Sequence, residues 1–92
     1  MRETIQEDNA FVIKENGQMI AEVTFKPAGE GTLVIDHTYV AEEMRGQKLA
    51  EELIRRVVEH ARETHNRIIP ACSYADAQFR RRKEYEDVWQ RS

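Results

Sequence analysis

The chain has 92 residues, of which 40% are hydrophobic and 34% charged, and its formal net charge is −3. This composition is typical of a globular protein and excludes a disordered or fibrous chain, and the length predicts one domain over residues 1–92 with a modest core. An acidic protein is a poor general binder of nucleic acid. Because the sequence has no long apolar stretch and opens with polar residues, we predict a cytoplasmic protein with no membrane association.

The first half of the chain predicts an antiparallel β-meander. Two β-rich runs, Ala10–Lys14 and Met19–Lys26, are separated by Glu15-Asn16-Gly17-Gln18, and Asn-Gly between such runs is a strong hairpin signal. The turn residues Pro27–Gly31 end the second strand. A third strand, Leu33–Val40, carries apolar side chains on both of its alternating faces, so we expect a covering layer on each side of it.

The second half predicts a helix, a strand and a second helix. From Gln47 to about Thr64, apolar residues recur at helical spacing against a charged outer face. Arg67–Cys72 follows as a fourth strand, and so short a strand–helix–strand unit implies a right-handed crossover to a parallel neighbour. Ser73, with Asp76 three residues later, resembles a capping box that starts a helix through about Lys83. The predicted fold is mixed α/β: an antiparallel meander, a parallel βαβ step and a short C-terminal helix.

The segment Arg45-Gly46-Gln47-Lys48-Leu49-Ala50, between the third strand and the first helix, is the main candidate for a ligand site. A loop that turns directly into a helix presents unpaired N–H groups at the positive end of the helix dipole, which suits an anion such as pyrophosphate. The dinucleotide and P-loop fingerprints do not fit, since they need further glycines. Charge agrees with an anionic ligand, because residues 46–92 hold ten basic and eight acidic residues, whereas residues 1–45 hold four and nine.

This hexapeptide resembles the coenzyme A loop of the GNAT-superfamily acetyltransferases, Arg/Gln-x-x-Gly-x-Gly/Ala. Arg45 and Ala50 match its ends, while Lys48 replaces the inner glycine; a lysine restricts positive φ, although its charge suits a phosphate. The flanking runs Val34–Val40 (VIDHTYV) and Ile69–Tyr74 (IPACSY) resemble the strands around that loop in a short GNAT subfamily. The resemblance covers about residues 10–89.

The resemblance implies an acetyl-CoA-dependent N-acetyltransferase that acts on an amine of a protein or a small molecule. It places the pyrophosphate on the amides of Arg45, Gly46, Gln47, Lys48, Leu49 and Ala50, and the pantetheine arm beside Thr38, Tyr39 and Val40. The helices that shape the acceptor site in longer relatives have no counterpart here, which implies an open acceptor cleft. The alternatives are a non-catalytic acyl-CoA-binding module and an interaction domain without a cofactor.

Cys72 and His37 are the candidate catalytic residues. Cys72 is the only cysteine and directly precedes a predicted helix, where the dipole favours a thiolate. It is a candidate nucleophile, a candidate acid toward the leaving group, or a small buried hydrophobe. The resemblance places His37 beside the acetyl group, where it is either a general base or a histidine hydrogen-bonded within the sheet.

Two further groups of polar residues have less specific interpretations. The three histidines show no metal-ligand spacing, so we predict no metal site. The basic run Arg80–Lys83 either reaches the 3′-phosphate of the cofactor or is the solvated end of a helix.

Overall fold

The protein, described by a computed structural model over residues 1–91, forms one five-stranded sheet. Its strands are β1 (Arg2–Glu7), β2 (Ala10–Glu15), β3 (Gln18–Pro27), β4 (Thr32–Val40) and β5 (Arg67–Pro70), and they follow one another across the sheet in chain order. The first four are antiparallel, and β5 is parallel to β4. The predicted mixed α/β topology is therefore confirmed, with one more antiparallel strand than the sequence indicated.

That extra strand is β1, whose sequence RETIQE has Ile5 as its only large apolar residue. It pairs with β2 along its whole length, from Arg2 opposite Glu15 to Glu7 opposite Ala10. An edge strand is held largely by backbone hydrogen bonds, so it can form without the apolar alternation by which strands are recognised in a sequence.

Two α-helices, α1 (Leu49–Thr64) and α2 (Ser73–Arg81), and two short 3-10 helices, Glu42–Met44 and Lys83–Val88, complete the fold. α1 packs against β2 to β5. Its buried stripe has the predicted helical spacing and consists of Leu49, Leu53, Ile54, Val57, Val58 and Ala61. α2 packs against α1 and β5, and its Phe79 ring lies 5.3 Å from that of Tyr85. No helix within residues 1–91 is long and apolar enough to cross a membrane.

A bulge in β4 decides which side chains face α1. Ile35 pairs with Phe25 and His37 with Thr24, so Asp36 is an extra residue in the ladder. Thr38 and Val40 pair with Val23 and Ala21, which are fully buried, so they share the helix-covered face. His37 and Tyr39 face the other way and are exposed. The expectation that β4 is covered on both sides is wrong at these two residues.

The strands β4 and β5 separate after four paired residues. Their ladder runs from Thr32 opposite Arg67 to Ile35 opposite Pro70. The N–H groups of Ala71 and Cys72 then both donate to the Ile35 carbonyl, at 2.9 and 3.1 Å, and the chain turns into α2. The predicted strand end at Cys72 is therefore two residues too late. Beyond Ile35, β4 pairs only with β3, which leaves a slot along its other edge.

Candidate active site

The loop before α1 turns through two residues with positive φ. Gly46 has φ +90°, and Lys48, the N-cap residue, has φ 61° and ψ 29° in the left-handed region. The helix consequently begins at Leu49 rather than at the predicted Gln47. The expected restriction at Lys48 does not prevent the turn, although a left-handed non-glycine residue costs about 1 kcal/mol.

The backbone N–H groups of residues 46–51 find no acceptor within the described chain. Before them, Arg45 donates to the Glu42 carbonyl at 3.3 Å; after them, Glu52 donates to the Lys48 carbonyl at 3.2 Å. No side chain caps this end of the helix. Successive free N–H groups at the positive end of a long helix form an arrangement that binds anions, above all phosphates.

An open cavity of about 570 Å³ lies between this loop, β4 and the start of α2. Most of the predicted cofactor residues line it: Thr38, Val40, Arg45, Gly46, Lys48, Leu49 and Ala50. Tyr39 and Gln47 do not. The Tyr39 side chain is on the opposite face of the sheet, and the Gln47 amide oxygen accepts a hydrogen bond from Arg2 Nη2 at 2.8 Å.

The hydrogen-bonding direction of β4 identifies which of its backbone groups open into the slot. Ala41 N donates to the Ile20 carbonyl of β3 at 2.8 Å. Because successive residues of a strand direct their N–H and C=O groups to opposite sides, Tyr39 also bonds toward β3, whereas Thr38 and Val40 direct theirs into the slot. An extended amide-bearing chain therefore finds strand-like partners at Thr38 and Val40.

Cys72 lies where the slot meets α2. It is the N-cap of that helix, with φ −85° and ψ 149°, and its half-buried Sγ accepts a hydrogen bond from Ala75 N at 3.3 Å. Thr38 Oγ1 is 4.0 Å from the same sulfur. The predicted cap at Ser73 is thus wrong by one residue. Serine is a preferred N-cap residue, which favours Ser73 in the sequence, but the backbone places the Cys72 thiol at the capping position.

His37 lies apart from this group. It is exposed, it faces away from Thr38 and Cys72, and its imidazole makes no hydrogen bond within the described residues. Its neighbour Asp36 accepts a hydrogen bond from Thr24 Oγ1 at 2.7 Å instead. The alternative of a histidine hydrogen-bonded within the sheet is therefore not supported, and a role as a base stays a prediction.

Three side chains beyond the predicted site residues also line the cavity: Met44, Glu51 and Tyr74. Burial, and then the nearby Glu51 carboxylate, raise the pKa of the Tyr74 phenol, so Tyr74 stays protonated at neutral pH. Glu51 forms ion pairs with Arg81 and Arg82, and Arg80 pairs with Asp76 at 2.8 Å. The three arginines of the basic run are therefore engaged with carboxylates of the same chain. The apolar periodicity of α1 gives no signal for Glu51, which belongs to its polar face.

Comparisons with known proteins agree with this geometry. Residues 10–88 match the family model for GCN5-related N-acetyl-transferases. The solution structure of a GCN5-like protein from Staphylococcus aureus is 36% identical with a TM-score of 0.81, and the match covers 96% of this chain and 87% of that one. This chain belongs to the GCN5-related N-acetyltransferase family. No curated protein matches the sequence.

Larger acetyltransferases share the fold. A GNAT family acetyltransferase from Brucella melitensis, solved in complex with acetyl-CoA, has a TM-score of 0.62 at 20% identity, covering 76% of this chain and 51% of that one. A GNAT family N-acetyltransferase from Escherichia coli, solved with CoA, has a TM-score of 0.58 at 25% identity, covering 62% and 35%. The chain thus spans about half the length of these proteins or less.

Proposed function

We propose that the protein binds acetyl-CoA and transfers the acetyl group to an amine of a protein or a small molecule. The observation that carries the proposal is the run of free N–H groups at residues 46–51, directly beside a cavity that leads to the β4 slot. Family membership supports the same cofactor, as do the acetyl-CoA and CoA complexes of the Brucella and Escherichia proteins. A cytoplasmic location remains a prediction from the sequence.

The residues present fit the parts of this cofactor. The amides of residues 46–51 and the Lys48 ammonium would hold the pyrophosphate, since a helix N-terminus and a lysine both stabilise phosphate oxygens. The open backbone groups of Thr38 and Val40 would pair with the amides of the pantetheine arm, as an added strand does. Tyr39 directs its N–H and C=O groups toward β3, so the proposed backbone contacts with the pantetheine arm are limited to Thr38 and Val40.

We further propose that Cys72 is the nucleophile. Acetyl-CoA supplies a thioester, a carbonyl already activated toward sulfur and amine nucleophiles. Cys72 Sγ, as the thiolate, would form a new thioester bond to the acetyl carbon while the bond to the coenzyme sulfur breaks. A neutral amine would then take the acetyl group as an amide, return Cys72 to the thiolate and give its proton to water. The N–H of Ala75, which lies 3.3 Å from the sulfur, would orient it for this attack.

Thermal denaturation with acetyl-CoA tests the binding proposal. Ligand at 100 times its Kd stabilises a native state that alone binds it by about 2.7 kcal/mol, so the melting temperature should rise with acetyl-CoA concentration. ATP serves as the control, because it offers phosphates without the pantetheine arm. A melting temperature that millimolar acetyl-CoA raises no more than ATP does would contradict the proposal.

Turnover separates an enzyme from a binding module. Release of the coenzyme thiol should increase when polyamines or lysine-containing peptides are added with acetyl-CoA, since the exposed cavity leaves room for such acceptors. Binding without thiol release for any amine would favour the non-catalytic module.

A further inference from the structure

The Glu51 carboxylate is located where a negative charge opposes the proposed ligand. It lies in the first turn of α1, directly after the loop, and lines the same cavity as Gly46 and Lys48. Its side chain is only 27% exposed, so water screens it incompletely. A carboxylate here favours the free helix N-terminus but repels a pyrophosphate bound to the same N–H groups.

Two arginines at the end of α2 pair with this carboxylate, although they do not themselves line the cavity. Arg81 Nη2 is 3.3 Å from Glu51 Oε1, and Arg82 Nη2 is 3.4 Å from Glu51 Oε2. Arg82 is itself held in place, because its Nε donates to Oε1 of the buried Gln78 at 3.1 Å. Arg82 Nη1 also lies 3.8 Å from Glu84 Oε2, so the two guanidinium groups face two carboxylates and their charges balance.

We propose that Glu51, Arg81 and Arg82 form an ion cluster that sets the affinity of the loop for the diphosphate of acetyl-CoA. The arginines neutralise Glu51, whose carboxylate would otherwise repel the diphosphate. They also connect the end of α2 to the first turn of α1. All three are positioning residues, and the inference rests on the proposed cofactor.

Removing a positive charge and removing a negative charge from the cluster should have opposite effects on the affinity for coenzyme A. Arg82→Gln leaves Glu51 with one partner instead of two, so it should weaken coenzyme A binding by about tenfold. Glu51→Gln removes the repulsion and leaves the positive charge of the two arginines less compensated, so it should tighten binding several-fold. The double variant should lie close to the wild type, because the two charge changes cancel.

Isothermal titration calorimetry with coenzyme A and with pantetheine tests this inference. Pantetheine has the same arm but lacks the diphosphate, the adenosine and the 3′-phosphate, so its affinity should stay within about twofold in every variant if the cluster acts through charge on phosphate. Arg80→Gln is the matched control: it removes the same charge from the same part of the chain, but Arg80 pairs with Asp76 instead of Glu51. Arg81→Gln, at a more exposed arginine, repeats the test without disturbing Gln78.

Opposite shifts for Glu51→Gln and Arg82→Gln, confined to coenzyme A, support the cluster. Equal losses for coenzyme A and pantetheine would show that the arginines serve the shape of the cavity, which overturns the inference. Unchanged coenzyme A affinity in both single variants also overturns it while leaving the proposed function intact. A wild-type protein that binds pantetheine but not coenzyme A, or neither, would defeat the proposed anion site and the cluster together.

Discussion

The two α-helices begin in opposite ways. α2 starts at an extended N-cap residue, Cys72, whose sulfur accepts the N–H of Ala75. α1 starts at a left-handed N-cap residue, Lys48, with no side-chain cap, and the N–H groups of residues 46–51 stay free within the described chain. Both helices present the same peptide groups, so the difference lies in what the side chains offer them. A side chain of the chain itself thus satisfies one N–H group at the positive end of α2, whereas no side chain caps α1, whose N–H groups remain available to an external anion.

The missing side-chain cap lowers the stability of α1, and the longer helix compensates for this by its packing. A side-chain N-cap is worth about 0.5–2 kcal/mol, and α1 lacks one while holding a lysine in the left-handed region. α1 has 16 residues and a continuous buried stripe, whereas α2 has 9 residues and buries Ala75, Gln78 and Phe79. Most helical stability in proteins comes from such packing, so the helix with more of it can leave its start open.

The largest expected effect is a loss of turnover on substitution of Cys72, the N-cap residue of α2. Cys72→Ala removes both the proposed nucleophile and the acceptor for Ala75 N–H. Acetyl transfer should fall by about a hundredfold or more, because removing a nucleophile abolishes the covalent route. Coenzyme A affinity should persist, and the free energy of unfolding should fall by about 1 kcal/mol from loss of the cap. Calorimetry, chemical denaturation and thiol release measure the three quantities separately.

Cys72→Ser is the matched control, since a serine oxygen can accept the same hydrogen bond. It should recover the stability that alanine loses without recovering turnover. Intact-mass analysis after incubation with acetyl-CoA should show a thiol-sensitive acetyl adduct on the wild type and on neither variant. Full activity of the alanine variant on an identified amine would show that Cys72 acts only as the helix cap. Water or His37 would then accept the proton of the amine.

The next largest expected effect is on coenzyme A binding at the uncapped start of α1. Gly46 has φ +90°, and apart from Gly46 and its two chain neighbours no residue has an atom within 4 Å of the position that a Cβ would take there. Gly46→Val therefore meets no clash but strains the backbone that aims the free N–H groups. Coenzyme A affinity should fall by at least about tenfold, since those groups would no longer point together at the phosphates. Calorimetry on the folded variant gives the value.

Gly29→Val provides the comparison for Gly46→Val. Gly29 has φ +84°, equally open surroundings and a place in the turn between β3 and β4, away from the cavity. It should cost a similar part of the unfolding free energy and leave coenzyme A affinity unchanged. Equal affinities for the two variants would mean that the loop before α1 is not the anion site.

Lys48→Gly should change binding least. Glycine adopts the left-handed conformation without strain, so the variant should gain up to about 1 kcal/mol of unfolding free energy while losing a few-fold in coenzyme A affinity with the lysine charge. His65→Gly, at the left-handed C-cap of the same helix with φ 59°, should give a similar gain in stability without any change in binding. A tighter complex for Lys48→Gly would show that the lysine charge does not contribute to phosphate binding.

Local patterns in the amino-acid sequence were enough to predict one set of features. The apolar spacing in α1, the Asn16-Gly17 hairpin and the turn from β4 into α1 are properties of neighbouring residues, and the structure has all of them. The loop around Gly46 is identifiable for the same reason, because free N–H groups follow from any direct turn into a helix.

Other features depend on distant partners and emerge only in the folded chain. In the sequence His37 alternates in phase with Ile35, but the bulge at Asp36 reverses that phase and places Thr38 beside Cys72 instead. A bulge is a property of the pairing between two strands and leaves no mark on either one alone. Likewise β1 exists because β2 offers it an edge, and Glu51 is neutralised by arginines 30 and 31 residues along the chain. The interactions of these side chains depend on residues that are distant in the sequence and become neighbours only in the folded chain.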